Sequence, residues 1–533
     1  MPPTTSPIRH SRGSSVQKRA TKPVAEQYVE ELLKEIERLR SSASDSARTA
    51  PPAEEVLDSS TAAHEAVRNP LLEEGPWFHA VSSEHVPIHV GEAADAAFAT
   101  RFRQTLAVGN TKHLPRMSHV KDDSLMLLSG APFSWPSPAR ARFLVKVALS
   151  TICQYYHIVR KSQVTRVLEE AIKNNGNGDR LVISFPGLAY FAQARKMISI
   201  PAERPQMDTI EVALLLVLFS FTVNRRHSAY IFASSACRLG LIMGMNMNIP
   251  EQQCSDRLLA ARLTRAIYSR RNHHDSFSKR VQAMLKDLTK WMDALPAKFQ
   301  IKENDASVPV HIVYIHLRFN QCCILATRPI LLHVLRSHKQ SWSDPTIDPK
   351  RNLPEGALAL AETCIQCARH TYRILTDAWI HGTLATLDYF DTQYLFSATT
   401  ILAISSLLRS PRSQSDGDNF QNAVELLRQL AQSGNYGAKE FVEHTDAMEQ
   451  SMQLVSNTSF ALVPPRQQPL ADPESMLPPP SEAMTAGMAL ADPSLQYFLS
   501  ESDLDLQALS NPSFGGLQTP YWWADGWGVG ADV

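Results

Sequence analysis

TIEVALLLVLFSFTVNRRHSAYIFASSACRLGLIMGM, Thr209 to Met245, is two apolar runs broken once, at Asn224-Arg225-Arg226. The first run, Val212 to Val223, falls short of the ~20 residues a bilayer span requires, and Glu211 and the arginines bound it. It reads as a buried core helix. Apolar residues recur at three- and four-residue spacing on both sides of it, in LPRMSHVKDDSLMLLS, RARFLVKVALSTICQYYHIVRKSQVTRVLEEAIKNN, GLAYFAQARKMISI and SFSKRVQAMLKDLTKWMDALP. The pattern continues through VPVHIVYIHLRFNQCCILATRPILLHVLR, ALALAETCIQCARHTYRILTDAWIHG, DYFDTQYLFSATTILAISSLL and NAVELLRQLAQSGNYGAKEFVEHTDAMEQSMQLV. Strand-like alternation is rare, so the fold class is all-α, with residues 70–456 as one multi-helix domain. PRSQSDGDN, Pro411 to Asn419, reads as a loop within it.

Around this body the composition shifts. Residues 1–23 carry Arg9, Arg12, Lys18, Arg19 and Lys22 without an acid, a basic tail expected to be disordered. Residues 24–40 form a short amphipathic helix in which Val29, Leu32, Ile36 and Leu39 alternate spacings of three and four, the seam of a coiled coil. Two such heptads are marginal alone, since helices below ~12–15 residues barely persist in water. Residues 41–69 are a Ser/Ala/Pro linker, and residues 457–493 a Pro-rich one. Residues 494–533 interleave acids with Tyr497, Phe498, Leu504, Tyr521, Trp522, Trp523 and Trp527, and no Lys or Arg occurs after Arg466. Such acidic, aromatic-dotted segments suit docking on coactivator grooves.

The 53 basic and 53 acidic side chains cancel, which excludes a surface coated for nucleic acid or anionic membrane and leaves only local charge for such work. No membrane partner is expected. Seven cysteines scattered through apolar-periodic segments read as reduced thiols buried in helices, not as a disulfide framework.

Candidate chemistry is sparse. Cys364, Cys367 and His370 stand at i, i+3, i+6 but lack the second ligand pair of a zinc site and read as core. His273-His274-Asp275 lies in a polar link and reads as solvated. Asp388 and Asp391 share a helical face at i, i+3, the nearest approach to a magnesium pair, yet further acids and a phosphate loop are missing. Glycine-rich phosphate loops, nucleophile elbows and triad patterns do not occur. Catalytic residues and a resident cofactor are therefore not expected.

Several stretches, in collinear order, resemble the fungal-specific transcription factors, whose usual members begin with a zinc binuclear cluster of six cysteines. NPLLEEGPWF (Asn69 to Phe78) and PIHVGEAADAAFATRFRQTL (Pro87 to Leu106) are similar to the opening of that family's regulatory domain. YFAQARKMISI and the stretch from Thr209 resemble its central signature; LRFNQCCILATRPILL and YLFSATTILAISSLL its later helices; SGNYGAKEFVEH an element near its end. The resemblance implies a nuclear regulator of RNA polymerase II transcription. In it Lys18, Arg19 and Lys22 would track DNA phosphates or direct nuclear import, the 24–40 helix would pair with a second copy or a relative, and the acidic end would recruit coactivators.

Two departures matter. No cysteine precedes Cys153, so these residues cannot supply the six thiolates that hold zinc. Met247 to Asp256 also runs almost directly into RLLAARLTRAIYSRR, where the family places a further helix and turn. A truncated interaction protein that titrates full-length relatives is the alternative.

Overall fold

A computed structural model describes residues 69, 71, 77–79, 88–107, 111–115, 118–130, 136–150, 156, 158–174, 187–198, 206–243, 267, 277–296, 299, 301, 309–343, 353–408, 410–460, 490 and 493–500. All of them belong to one unit of the chain, Ala66–Val533. The architecture is all-α apart from one antiparallel pair, β1 (Trp77–His79) and β2 (Ile88–Val90), in register Trp77 with Val90. This small hairpin is absent from the sequence reading, because strands this short leave no alternation to detect.

Five long helices form the main core: α9 (Val310–Ser343), α10 (Glu355–Ile380), α11 (Tyr389–Leu407), α12 (Ser413–Gln432) and α13 (Tyr436–Phe460). Each packs against the next in sequence, as short connections favour. The middle one, α11, is buried on every side, with Leu395, Phe396, Ile401, Leu402 and Ile404 all at or below 1 % exposure, so neighbours enclose it. Its N-terminus is capped by Asp388, whose carboxylate accepts from the amides of Phe390 (2.7 Å) and Asp391 (3.0 Å). Asn435 does the same for α13, accepting from the Ala438 amide while its own amide reaches the Thr392 hydroxyl on α11. Gly434 makes the preceding turn at a positive φ of 97°.

Onto this core fold α1 (Asp95–Leu106) and α8 (Phe277–Asp293). A second, smaller cluster joins α2 (Asp122–Gly130), α5 (Leu188–Ile198), α6 (Met207–Thr222) and α7 (Arg226–Ile242), while α3 (Pro138–Ser150) and α4 (Lys161–Asn174) pair with each other.

Four expectations change here. First, Pro411 to Asn419 is largely not a loop: α12 starts at Ser413, because buried Asp416 in its first turn accepts from Arg369 of α10 and Ser405 of α11. Second, the apolar run in α6 is not a buried core helix. Ile210, Ala213 and Leu216 face inward while Val212 and Leu215 are about two-fifths exposed. Among the described residues, no helix is long and apolar enough to cross a membrane. Third, Cys237 on α7 is an exposed thiol, whereas Cys323, Cys364 and Cys367 are buried.

The fourth concerns the C-terminal segment. Residues Pro493–Ser500 form α14, packed against α8 and α10, and Leu490, Leu495, Phe498 and Leu499 are all buried. Phe498 is 1 % exposed and therefore is core, not an open docking anchor. Burying four large side chains outweighs the polarity of the surrounding sequence. Tyr497 remains 58 % exposed.

Candidate functional site

The turn between α6 and α7 carries Asn224-Arg225-Arg226, the polar break in the decisive stretch. Asn224 is fully buried at φ 54°, a left-handed conformation that asparagine tolerates better than most residues. Its side-chain amide donates to the Ser118 carbonyl and to Glu440 of α13, both at 2.7 Å. Arg226 donates to the other Glu440 oxygen and to Asn224 Oδ1, and its guanidinium lies 5.6 Å from the Tyr389 ring centroid and 5.8 Å from that of Phe441. Arg225 reaches the Val120 carbonyl (2.7 Å) and Asp122 (2.6 Å). Asn224 and Arg226 thus pin the smaller helical cluster to the main core by charge-assisted bonds, while Arg225 ties α7 to α2 within that cluster.

A second joint fixes the segment after β2. Arg328 of α9 donates to Asp95 at 2.6 Å and to the Ala93 carbonyl at 2.7 Å, with its guanidinium 4.8 Å from the Phe98 ring. Gln393 of α11 donates to the other Asp95 oxygen at 2.8 Å, and Arg101 is paired with Glu92 at 2.8 Å. All four charged groups are nearly solvent-free.

Asp388 and Asp391 form a third polar cluster with Tyr314, whose hydroxyl favours the charged form of both carboxyls. Burial, then the neighbouring Asp388 charge, push the Asp391 carboxyl well above the ordinary range; Asp388 is raised too, chiefly by burial, against two backbone amides that favour its charge. Folding therefore favours the protonated form of the pair. That is the opposite of a magnesium site, which needs both carboxylates charged. Asp388 also caps α11 from outside, so the two acids do not share a helical face as the spacing suggests.

A sign follows for stability. A carboxyl raised by folding favours the native state at low pH, and that advantage is lost at about 1.4 kcal/mol per pH unit as pH climbs above about 4. Asp391→Asn removes the titration. Its stability relative to the parent protein is expected to increase as pH rises above about 4, read as urea midpoints. A pH-independent difference would show that no proton is held.

Burial also shifts several histidines and thiols. Burial holds His370 and His444 at about 3, with Arg373 adding to the effect on His370. It also raises the thiols, Cys322 to about 11 and Cys364 to about 12. Cys364 lies beside Thr327, and Cys367 beside Cys323, in the α9–α10 interface. None of these is poised as a nucleophile or general base at neutral pH. Among the described residues no cluster of His, Cys, Asp and Glu is arranged to hold a metal ion.

Of the residues singled out in the sequence, Lys18, Arg19, Lys22, Val29, Leu32, Ile36, Leu39, Leu504, Trp522, Trp523 and Trp527 lie outside the described residues, as do His273, His274 and Asp275. Glu440, Asp95 and Arg328 escaped notice there, and Asn224 and Arg226 were read only as the end of an apolar run. The available signal was a charge embedded in an apolar run, as in CILATRPILL and AKEFV.

Over 162 residues the chain is 30 % identical to an uncharacterized transcriptional regulatory protein of Schizosaccharomyces pombe; the match covers 30 % of this chain and 18 % of that protein. No family profile matches the chain. No solved structure matches it either.

Proposed function

We propose that this chain is a nuclear transcription regulator of the fungal-specific type, with the helical body as its regulatory module. The supporting observation is that the stretches on which the resemblance rests interlock through buried polar contacts. Asp95, in the opening stretch, meets Arg328 in a later helix; Asn224 and Arg226, in the central signature, meet Glu440 in SGNYGAKEFVEH. Asn69 likewise donates to the Ile267 carbonyl. The named transcriptional role of the fission-yeast relative agrees with this reading.

In this reading the acidic end, beyond α14, recruits coactivators through Leu504, Trp522, Trp523 and Trp527, with Tyr497 at its base. Pairing runs along Val29, Leu32, Ile36 and Leu39. DNA is reached weakly through Lys18, Arg19 and Lys22, whose phosphate contacts carry no sequence information, or through a partner subunit that bears the reader. The alternative is a protein that binds and titrates such relatives.

One assay separates the two. Fused to a heterologous DNA-binding domain, residues 501–533 are expected to drive a reporter, and alanine at Trp522, Trp523 and Trp527 is expected to silence it. Equal inactivity of both fusions removes the activator reading. Reduced output of a coexpressed full-length relative would then favour titration.

A further inference from the structure

The seat of α14 has the features of a binding site. Phe498 fills a pocket that exists because residue 356 is glycine: a Cβ there would lie 2.8 Å from Phe498 Cδ2. Gln282 of α8 donates to the carbonyls of Phe498 (2.8 Å) and Leu499 (3.3 Å), the end of the helix where carbonyls lack intrahelical partners. Beyond it opens a cleft of about 250 Å³ lined by Lys286, Thr289 and Lys290 of α8 together with Gln496, Leu499 and Ser500. The next residues in sequence are Glu501, Ser502, Asp503, Leu504 and Asp505. Apolar anchors at 495, 498 and 499, a side-chain clamp on the last carbonyls and a cationic cleft where the chain turns acidic match the mode by which grooves take short amphipathic helices. An eight-residue helix has little stability by itself, so its order depends on the groove.

We propose that the groove between α8 and α10 is a helix-binding site occupied in cis by Leu490 and Pro493–Ser500, a reversible latch whose ligands are short Leu-x-x-Phe-Leu helices followed by carboxylates. The latch stands independently of the transcriptional reading. Its closed state ties the root of the acidic segment to the body. Its open state exposes Phe498 and Leu495 as two further apolar anchors beside Tyr497.

The test uses the full chain and a fluorescent peptide of residues 488–506, followed by anisotropy. In the Leu495→Asp/Phe498→Asp chain the seat is vacant, and the peptide is expected to bind at least about ten-fold more tightly than to the parent chain, whose tethered helix competes at high effective concentration. Added salt or Lys286→Glu/Lys290→Glu should weaken that binding, and a peptide carrying both aspartates should not bind. Failure of the vacant chain to bind, or equal binding by both chains, overturns the proposal. Hydrogen exchange on the parent chain covers the case in which the double variant misfolds. Amides of residues 493–500 should exchange by local opening, well before those of α10 and α11, and exchange only on global unfolding would overturn the latch.

Discussion

Replacing Arg328 with methionine is expected to destabilise the helical body by about 3–5 kcal/mol, read as a fall in the urea midpoint followed by far-ultraviolet circular dichroism. The cause is what remains behind. Arg328 and Asp95 are 1 % and 3 % exposed, so removing the cation leaves a carboxylate in a site with almost no water. Gln393 still donates to Asp95, but a neutral amide does not replace a guanidinium at 2.6 Å. The Ala93 carbonyl loses its donor as well, and the Phe98 ring its cation. The Asp95→Asn/Arg328→Met double variant is expected to recover more than half of the loss, because it removes the stranded charge and not only its partner. A single variant costing less than about 1 kcal/mol would place the pair in contact with water and refute its role as the clasp between α1 and α9.

That clasp shows why part of the molecule was readable in the sequence and part was not. Helix class follows from three- and four-residue apolar spacing, a local property, and α5 through α13 all carry it. The beginning of α12 was lost because SQSDGDN has the composition of a turn. Its helicity depends on Asp416 meeting Arg369 and Ser405, and those partners come from other helices. Burial of α6 was overestimated for a related reason: hydrophobicity reports a wish to be covered, while Val212 and Leu215 show that the covering partner is a matter of tertiary arrangement. The C-terminal segment fails in the opposite sense. SLQYFLS, short and followed by acids, carries the pattern of a solvated tail, yet Gly356 on a distant helix makes room for Phe498. The polar joints were legible only as isolated oddities, a single charge in an apolar run. A buried Arg announces that it has a partner without saying which acid it meets across 233 residues.

Acidification is expected to weaken the body steeply below about pH 6.5, through buried histidines that folding holds neutral, His370 and His444 the most strongly lowered. His370 is 2 % exposed, with Nδ1 3.0 Å from Asn320 Nδ2 and its ring edge-on to His316 at 6.3 Å, and Arg373 adds an unfavourable charge. His444, equally buried, lies between the rings of His113 (5.7 Å) and Phe396 (5.9 Å). Glu440 favours its charge, but desolvation outweighs that and His113, Arg103 and Arg226 oppose it. Both folded-state values, about 3, lie below the unfolded value of 6.5. The unfolded chain therefore binds protons first, and the stability present above pH 6.5 is lost as pH falls toward 3.

At about 1.4 kcal/mol per unit and group, the two lose together about 4 kcal/mol between pH 6.5 and 5. The proton held by Asp388 and Asp391 runs the other way, regaining about 1.4 kcal/mol per unit over the part of that range in which the pair titrates, so the net slope remains destabilising. His370→Asn with His444→Gln should lower stability at pH 7 yet lessen the slope of the urea midpoint between pH 7 and 5, part of the remainder coming from His333, which burial holds at about 4. If the double variant keeps the parental slope, the acid sensitivity arises elsewhere. Each single variant should lessen the slope by about 1.4 kcal/mol per pH unit, since the two rings sit on different helices and share no direct partner.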